Sequence, residues 1–111
     1  MELNKLEQNG AACRAYVVLE NGSAMAFESL KPDLVLFDSD GIVARRIALE
    51  TAPLPPGKTS LKVFDIDGLP CARIGRILLN DVLSCSASGE ARDDCLGIVD
   101  PSSRGSVPFI K

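Results

Sequence analysis

The four cysteines constrain the fold of this 111-residue chain more than any other feature of its sequence. An even number of cysteines in a short chain is typical of a disulfide framework formed in an oxidising compartment. A structural zinc site usually takes its ligands as close pairs such as C-x2-C, and the cysteines here are spaced too widely for that. The sequence therefore favours two disulfides, with free buried thiols and a zinc site as the alternatives. The residues concerned are Cys13, Cys71, Cys85 and Cys95.

Four cysteines can pair in three ways, and the residues between them favour one of these. Cys85 and Cys95 flank residues 86–94, a polar stretch with turn-forming residues. A bridge across a single hairpin is therefore the simplest choice, and it leaves Cys13 to pair with Cys71. From the chain entropy that it removes from the unfolded state, the bridge that closes the short loop should stabilise the fold by about 3 kcal/mol, and the bridge that closes the long loop by about 4 kcal/mol. Both values are large beside a typical domain stability of about 5–15 kcal/mol.

Short alternating or apolar segments, separated by Gly, Pro, Asn and Asp, predict an all-β chain. Every second residue from Cys13 to Leu19 is apolar, so these residues are expected to face a core. Residues 33–38 form an apolar run of the kind found in a central strand buried on both faces. We predict an antiparallel immunoglobulin-like or fibronectin-like β-sandwich of six to seven strands. The predicted strands cover residues 13–20, 33–38, 42–49, 61–66, 76–85, 95–99 and 107–110.

One segment, residues 73–84, satisfies both helical and strand spacing. Its apolar residues recur at intervals that would also place them on one side of a helix. Asn80, Asp81 and Ser84 are poor residues for a helix interior, so we predict a strand over residues 76–85.

The chain is expected to form one domain. Residues 1–10 are polar and predict a disordered N-terminal arm, followed by a single β-sandwich domain over residues 11–111. Three prolines in residues 51–58 indicate an extended connection within that domain. Residues 1–7 contain no apolar core of a secretory signal, so an exported protein would be present here in its mature form.

The charge and the apolar pattern exclude two classes of partner. The net charge is −3 and no basic face stands out, which argues against binding to nucleic acid. No apolar run approaches the roughly 18 residues of a membrane span. Because four cysteines can be satisfied within one chain, we expect a monomer.

The pattern Phe-Asp-x-Asp-Gly occurs at residues 37–41 and again at residues 64–68. Paired aspartates before a glycine suggest calcium, but both segments lack the anchoring ligands of an EF-hand loop. Tight turns at strand ends are the preferred interpretation, since Asp and Gly both favour turn geometry. A cation site is retained as an alternative. Its candidate ligands are Asp38, Asp40, Asp65 and Asp67.

Catalysis has little support in the sequence. The chain contains no His, which removes the commonest general base and every nucleophile activated by histidine. No nucleophile elbow, P-loop or dinucleotide fingerprint is present. Asp93 and Asp94 are adjacent acids in a polar loop, and residues 102–105 form a loop with a single Arg. We therefore predict no enzyme, no catalytic residue and no cofactor, with a carboxylate-type hydrolase as a remote alternative.

Three segments, residues 16–21, 34–43 and 54–60, together resemble FxLYD-type and related immunoglobulin-like or fibronectin-like modules of bacterial envelope proteins. The shared features are an early strand ending in Asn, a central hairpin with Asp-x-Asp-Gly, and a later Pro-Gly-Lys turn. The chain also resembles small exported proteins of alphaproteobacteria whose function is unknown. The resemblance implies a sandwich fold and a periplasmic address, and it brings no catalytic residues.

These observations lead to a functional expectation. The chain is expected to be a non-enzymatic periplasmic binding or accessory module, whose partner is a protein or another ligand of the cell envelope. A bare sheet face or an open strand edge would mark the partner site. The alternatives are a calcium-stabilised module and a carboxylate-type hydrolase.

Overall fold

Alternation of apolar and polar residues produces sheets here, because a strand with this pattern has one face that avoids water. The structure is a computed structural model that describes residues 1–111. A 3₁₀ turn (Cys71–Arg73) and one short helix, α1 (Cys95–Ile98), accompany the strands. The strands are β1 (Glu2–Asn9), β2 (Ala12–Glu20), β3 (Phe27–Asp38), β4 (Val43–Ala48), β5 (Thr59–Ile66), β6 (Ile74–Ala87), β7 (Glu90–Ala91), β8 (Ser102–Ser103) and β9 (Phe109–Ile110).

The strands form two sheets that pack face to face. The first sheet has the order β5-β2-β1-β8, and the second has the order β4-β3-β6, with β7 and β9 both paired to β6. The prediction of an all-β sandwich is confirmed. The expectation of purely antiparallel sheets is wrong, because β8 runs parallel to β1 and β9 runs parallel to β6. A parallel pair needs a long connection, and long stretches of chain separate the strands of both pairs.

The central strands occur where the sequence predicts them. The segments at residues 13–20, 33–38, 42–49, 61–66 and 76–85 correspond to β2, β3, β4, β5 and β6. The preference for a strand over a helix in residues 76–85 is thus confirmed. Of the predicted strand at residues 107–110, only Phe109–Ile110 is extended and paired, as β9.

Residues 2–9 are not the disordered arm that their polar composition suggests. They form β1, which pairs antiparallel with β2 along most of its length. Gly10 has a φ of 58° in the tight turn between the two strands, a conformation that glycine adopts without strain. Leu3 is 3% exposed and enters the core. Backbone hydrogen bonds, the buried Leu3 and the partly buried Leu6, which packs against the core, therefore order a segment that is otherwise polar.

Residues 95–99 are not the predicted strand. Cys95–Ile98 forms α1, in which the Val99 N–H donates to the Cys95 carbonyl at 3.1 Å. Along this edge of β6, β7 pairs with residues 86–87 and β9 pairs with residues 77–78, while residues 95–99 pair with no strand. A bridge to Cys85 holds Cys95 by its side chain instead.

The core lies between the inner faces of β2, β3 and β6. The alternation predicted for β2 is confirmed, since all four of its inward residues are nearly inaccessible. In β3, Leu34 and Leu36 are buried, whereas Val35 and Phe37 on the other face are only half-buried. The expectation that this strand is buried on both faces is therefore wrong for its outer face. The inward residues of β2 are Cys13, Ala15, Val17 and Leu19.

We expect Leu36→Ala to lower the free energy of unfolding by about 3 kcal/mol, because it opens a cavity at a fully buried position. Leu83 belongs to the same sheet but is 51% exposed, so Leu83→Ala should change it by no more than about 0.5 kcal/mol. Urea denaturation measures both variants. Equal losses of unfolding free energy in the two variants would contradict the placement of Leu36 in the core and Leu83 on the surface.

A buried carboxylate joins three strands of the second sheet. The side chain of Asp33 in β3 is 1% exposed. It accepts hydrogen bonds from Arg46 Nε at 2.9 Å and Nη2 at 2.8 Å, and from Asn80 Nδ2 at 3.0 Å. The bonds from Arg46, and then that from Asn80, lower the pKa of Asp33 below its ordinary value. The charged form of Asp33 is therefore the one that stabilises the fold.

The contribution of Asp33 to stability depends on pH, and its direction follows from the lowered pKa of this carboxyl. A carboxylate whose pKa is lower in the folded state stabilises the fold fully above its unfolded pKa, and loses that effect as the pH falls through the folded pKa. We expect Asp33→Asn to destabilise the protein at pH 7, and the deficit to shrink below about pH 4. Urea midpoints measured between pH 7 and pH 2 test this. The exposed control Asp93→Asn should show no such deficit.

Candidate functional site

A cleft opens at the end of the sandwich where β2 ends and β3 begins. Its volume is about 620 Å³. Clefts that bind small molecules usually measure roughly 300–1,000 Å³ and have mostly apolar walls with a few polar groups. The lining residues come from five separate parts of the chain. They include Glu2, Leu19, Glu20, Asn21, Met25, Phe27, Leu30, Leu54, Arg92, Ile98, Val99 and Asp100.

The floor of the cleft is a continuation of the core. Leu19 is the last inward residue of β2, and Phe27 and Leu30 are supplied by β3. Leu54 is brought to them from the proline-rich segment, because its backbone exchanges two hydrogen bonds of 3.0 Å with that of Phe27. All four side chains are at most 7% exposed. The floor is therefore apolar and is shaped by strand ends.

Asn21 fastens one wall of the cleft. It is 7% exposed, and its Nδ2 lies 2.8 Å from the Met25 carbonyl, 2.9 Å from that of Leu54 and 3.1 Å from that of Pro55. Its Oδ1 accepts a hydrogen bond from the Ser23 hydroxyl at 2.7 Å. Asn21-Gly22-Ser23 matches a glycosylation sequon, but in the folded chain its amide nitrogen is engaged in holding this turn against the proline-rich segment.

The opposite wall is formed by the segment around α1, which a disulfide secures. Cys85 in β6 is joined to Cys95 at the start of α1, and Ile98 and Val99 line the cleft directly after it. Arg92 also belongs to this wall, and its Nη1 lies 3.0 Å from Met25 Sδ. The cleft therefore depends on a covalent link that lies outside the strand ladder.

The second disulfide joins Cys13 in β2 to Cys71 in the 3₁₀ turn, so no free cysteine is present. The structure thus contains the two pairs that the sequence favours. Two disulfides and no free thiol indicate an oxidising environment. No helix of the structure has the length and apolar character needed to span a membrane.

Carboxylates surround the mouth of the cleft. Glu2 forms an ion pair of 3.4 Å with Arg104, and the side chain of Asp100 is 92% exposed. Glu20 is exposed as well. The α-amino group of Met1 donates to the Asp100 carbonyl at 3.1 Å, and burial lowers the pKa of this amine.

The acids singled out as possible catalytic residues are held in an ion pair or face solvent. The Asp94 carboxylate receives two hydrogen bonds from Arg92, at 2.7 and 3.0 Å. These bonds lower the pKa of Asp94, which keeps it ionised and unable to act as an acid near neutral pH. Asp93 is exposed. Arg104, the single Arg of the loop at residues 102–105, pairs with Glu2.

The four candidate calcium ligands do not come together. Asp38 Oδ1 accepts backbone hydrogen bonds from Asp40 at 2.9 Å and Ile42 at 3.0 Å, which closes its own turn. The Asp65 carboxylate binds the Arg14 guanidinium at 2.9 and 3.2 Å. Across the structure, no group of three or more His, Cys, Asp or Glu residues is arranged to hold a metal ion.

The turn that contains Asp67 is linked to the edge strand of the other sheet. Arg45 of β4 donates from Nη2 to the carbonyl of Asp67 at 3.2 Å. Gly68 packs against the same guanidinium, since a Cβ at this position would lie 3.2 Å from Arg45 Nη2. The Arg45 guanidinium therefore joins β4, the edge strand of one sheet, to the turn that follows β5, the edge strand of the other sheet.

Comparison with known proteins finds no matching family model, no matching curated protein and no matching solved structure. The chemistry of the cleft is therefore inferred from its own residues. No sequence pattern marks the cleft, because its lining is assembled from strand ends, a proline-rich segment and α1. The expected end of the early strand at Asn21 is the one local signal of the wall that this residue fastens.

Removing each disulfide should have a distinct effect. Cys13→Ser/Cys71→Ser should lower the free energy of unfolding by about 4 kcal/mol, because it releases the longer loop. Cys85→Ser/Cys95→Ser should lower it by about 3 kcal/mol and also free the wall of the cleft.

Two measurements check this. Urea denaturation reports the loss of stability in each double variant, and amide NMR shifts at Ile98 and Val99 report the wall. Large shifts at these residues in the Cys13/Cys71 variant, and none in the Cys85/Cys95 variant, would contradict the assignment of the wall to the second bridge. Thiol titration of the unreduced, denatured protein should find no free thiol.

Proposed function

We propose that this protein is a non-enzymatic binding or accessory module of the periplasm, built on an immunoglobulin-like or fibronectin-like β-sandwich. Its ligand site is the cleft beside α1. The observation that carries the proposal is an apolar floor inside a cleft of about 620 Å³, a size suited to a small apolar ligand or to an apolar side chain of a partner.

The location rests on the cysteines and on the resemblance to envelope modules. Thiols of cytosolic proteins are normally kept reduced, whereas both pairs here are oxidised. The resemblance to small exported proteins of alphaproteobacteria favours the periplasm over other oxidising compartments.

Binding is favoured over catalysis by the kinds of residue in the cleft. The chain has no His, and the acids at the mouth lie at its solvent-facing rim. A carboxyl that acts as a general acid near neutral pH is normally placed in apolar surroundings. Asp100 is too exposed for that role, and Glu2 is paired with Arg104.

A carboxylate-type hydrolase is the second candidate. It is favoured by one observation, namely that Glu2, Glu20 and Asp100 line the same cleft. Two carboxylates on either side of a bound substrate are the minimum that such a mechanism requires. The exposure of these groups makes this proposal the weaker of the two.

The test uses a neutral fluorescent probe, N-phenyl-1-naphthylamine, whose emission rises in apolar surroundings. We expect saturable binding to the native protein, and an affinity about fivefold lower for Ile98→Asp, because roughly 1 kcal/mol of apolar contact is lost. Ile98 lines the cleft and is 48% exposed, so the fold should tolerate the change.

A matched control is available at Ile42, which is 63% exposed and lies outside the cleft. Ile42→Asp should bind the probe like the native protein. An absence of saturable binding, or equal losses in the two variants, would refute the cleft as the ligand site. Hydrolysis of chromogenic esters or glycosides that disappears in Glu20→Gln would favour the hydrolase instead.

A further inference from the structure

The two edge strands β4 and β5 lie on the same flank of the sandwich and are each paired on one side only. β5 pairs with β2, and β4 pairs with β3, while their other edges carry no strand. Arg45 of β4 reaches the turn after β5, which places the two edges beside each other. An open edge offers unpaired backbone N–H and C=O groups to another chain.

Exposed apolar residues gather on this flank. Four of the seven large hydrophobic residues that are exposed belong to it. In β5, Leu61 is 56% and Val63 is 46% exposed, and both point away from the core beside Val18 and Tyr16 of β2. The four are Ile42, Val43, Leu61 and Val63.

Three basic residues on or directly beside these two strands have no acidic partner. Lys58 donates from Nζ to the Thr59 carbonyl, and Arg45 donates to the carbonyls of Ala44 and Asp67. Neither contacts a carboxylate, and neither does Lys62. The one acidic residue within β5, Asp65, is paired with Arg14 at 2.9 Å. Lys62 is therefore the charge within β5 that is free to meet an acidic group, with Lys58 directly before the strand and Arg45 on β4.

We propose that the β5 edge accepts an extended, acidic segment of a partner protein as an added strand. Because strand side chains alternate, apolar residues of the added strand would lie beside Leu61 and Val63, and the intervening acidic residues would lie on the side of Lys62. This second site is distinct from the cleft and serves a polypeptide rather than a small ligand.

The charges also argue against a second copy of the chain as the occupant. Two copies paired through β5 would bring Lys62 of one close to the lysines of the other, and like charges across paired strands are unfavourable. Lysine on an exposed edge is a common protection against such self-pairing. The same residues favour an acidic strand.

The experiment uses three short capped peptides that alternate valine with glutamate, with glutamine or with lysine. We expect the glutamate peptide to bind most tightly to the full chain, and to shift the amide NMR signals of Leu61 to Asp65. Lys62→Glu should lower the affinity for the glutamate peptide about fivefold and raise the affinity for the lysine peptide. The reason is that the charge at residue 62 then repels glutamate and attracts lysine. The control Lys31→Glu, on the central strand β3, should leave the order of affinities unchanged.

A fourth peptide separates strand addition from simple charge attraction. It carries the same glutamates, but proline replaces the central valine, so it cannot continue a ladder of hydrogen bonds. Equal binding of the two acidic peptides, or amide shifts away from β5, would overturn the proposal. Dimerisation through β5 at micromolar concentration would overturn it too, by making a second copy the occupant. Ile98→Asp should leave peptide binding unchanged. A failure of the proposed strand addition at β5 can therefore be distinguished from a failure of the proposed ligand site in the cleft.

Discussion

Burial of the inner faces of β2, β3 and β6 against one another is the interaction on which the rest of the structure depends. Leu36 and Leu79 from the second sheet and Ala15 from the first are almost completely shielded from water. Apolar area removed from water stabilises a fold by about 25 cal/mol per Å². The two disulfides tie β2 to the 3₁₀ turn and β6 to α1, and the carboxylate of Asp33 links β3 to β4 and β6.

The two proposed sites lie where that burial stops. At one end of the sandwich the last inward residues, among them Leu19 and Phe27, line a cleft. Along one flank the sheets end in β4 and β5, whose outer edges have no neighbour. The cleft suits a small apolar group, whereas the edge suits an extended polypeptide. Both proposed sites therefore lie where the single hydrophobic core ends.

The sequence predicted the central strands well, because each pattern involves neighbouring residues only. Alternation in β2 shows which side chains face inward, and Asn21-Gly22 marks its end. It failed for residues 2–9, since their order comes from backbone pairing with β2 and from two leucines, the buried Leu3 and the partly buried Leu6. It also failed for residues 95–99, whose apolar pattern suits a strand, whereas Cys95 begins the short helix α1 and is held there by the disulfide to Cys85.

Local order along the chain was thus determined by the sequence itself: the positions of β2 to β6, the turns between them, and the cysteines placed to cross-link them. The tertiary structure alone decided that five distant segments enclose a cleft, that Arg45 of β4 joins the turn after β5, and that β5 is left with an open edge. The physical reason is the separation along the chain between the residues that interact. Alternation and turn chemistry act between neighbours in the chain, whereas a cleft and a sheet edge exist only after strands far apart in sequence have packed.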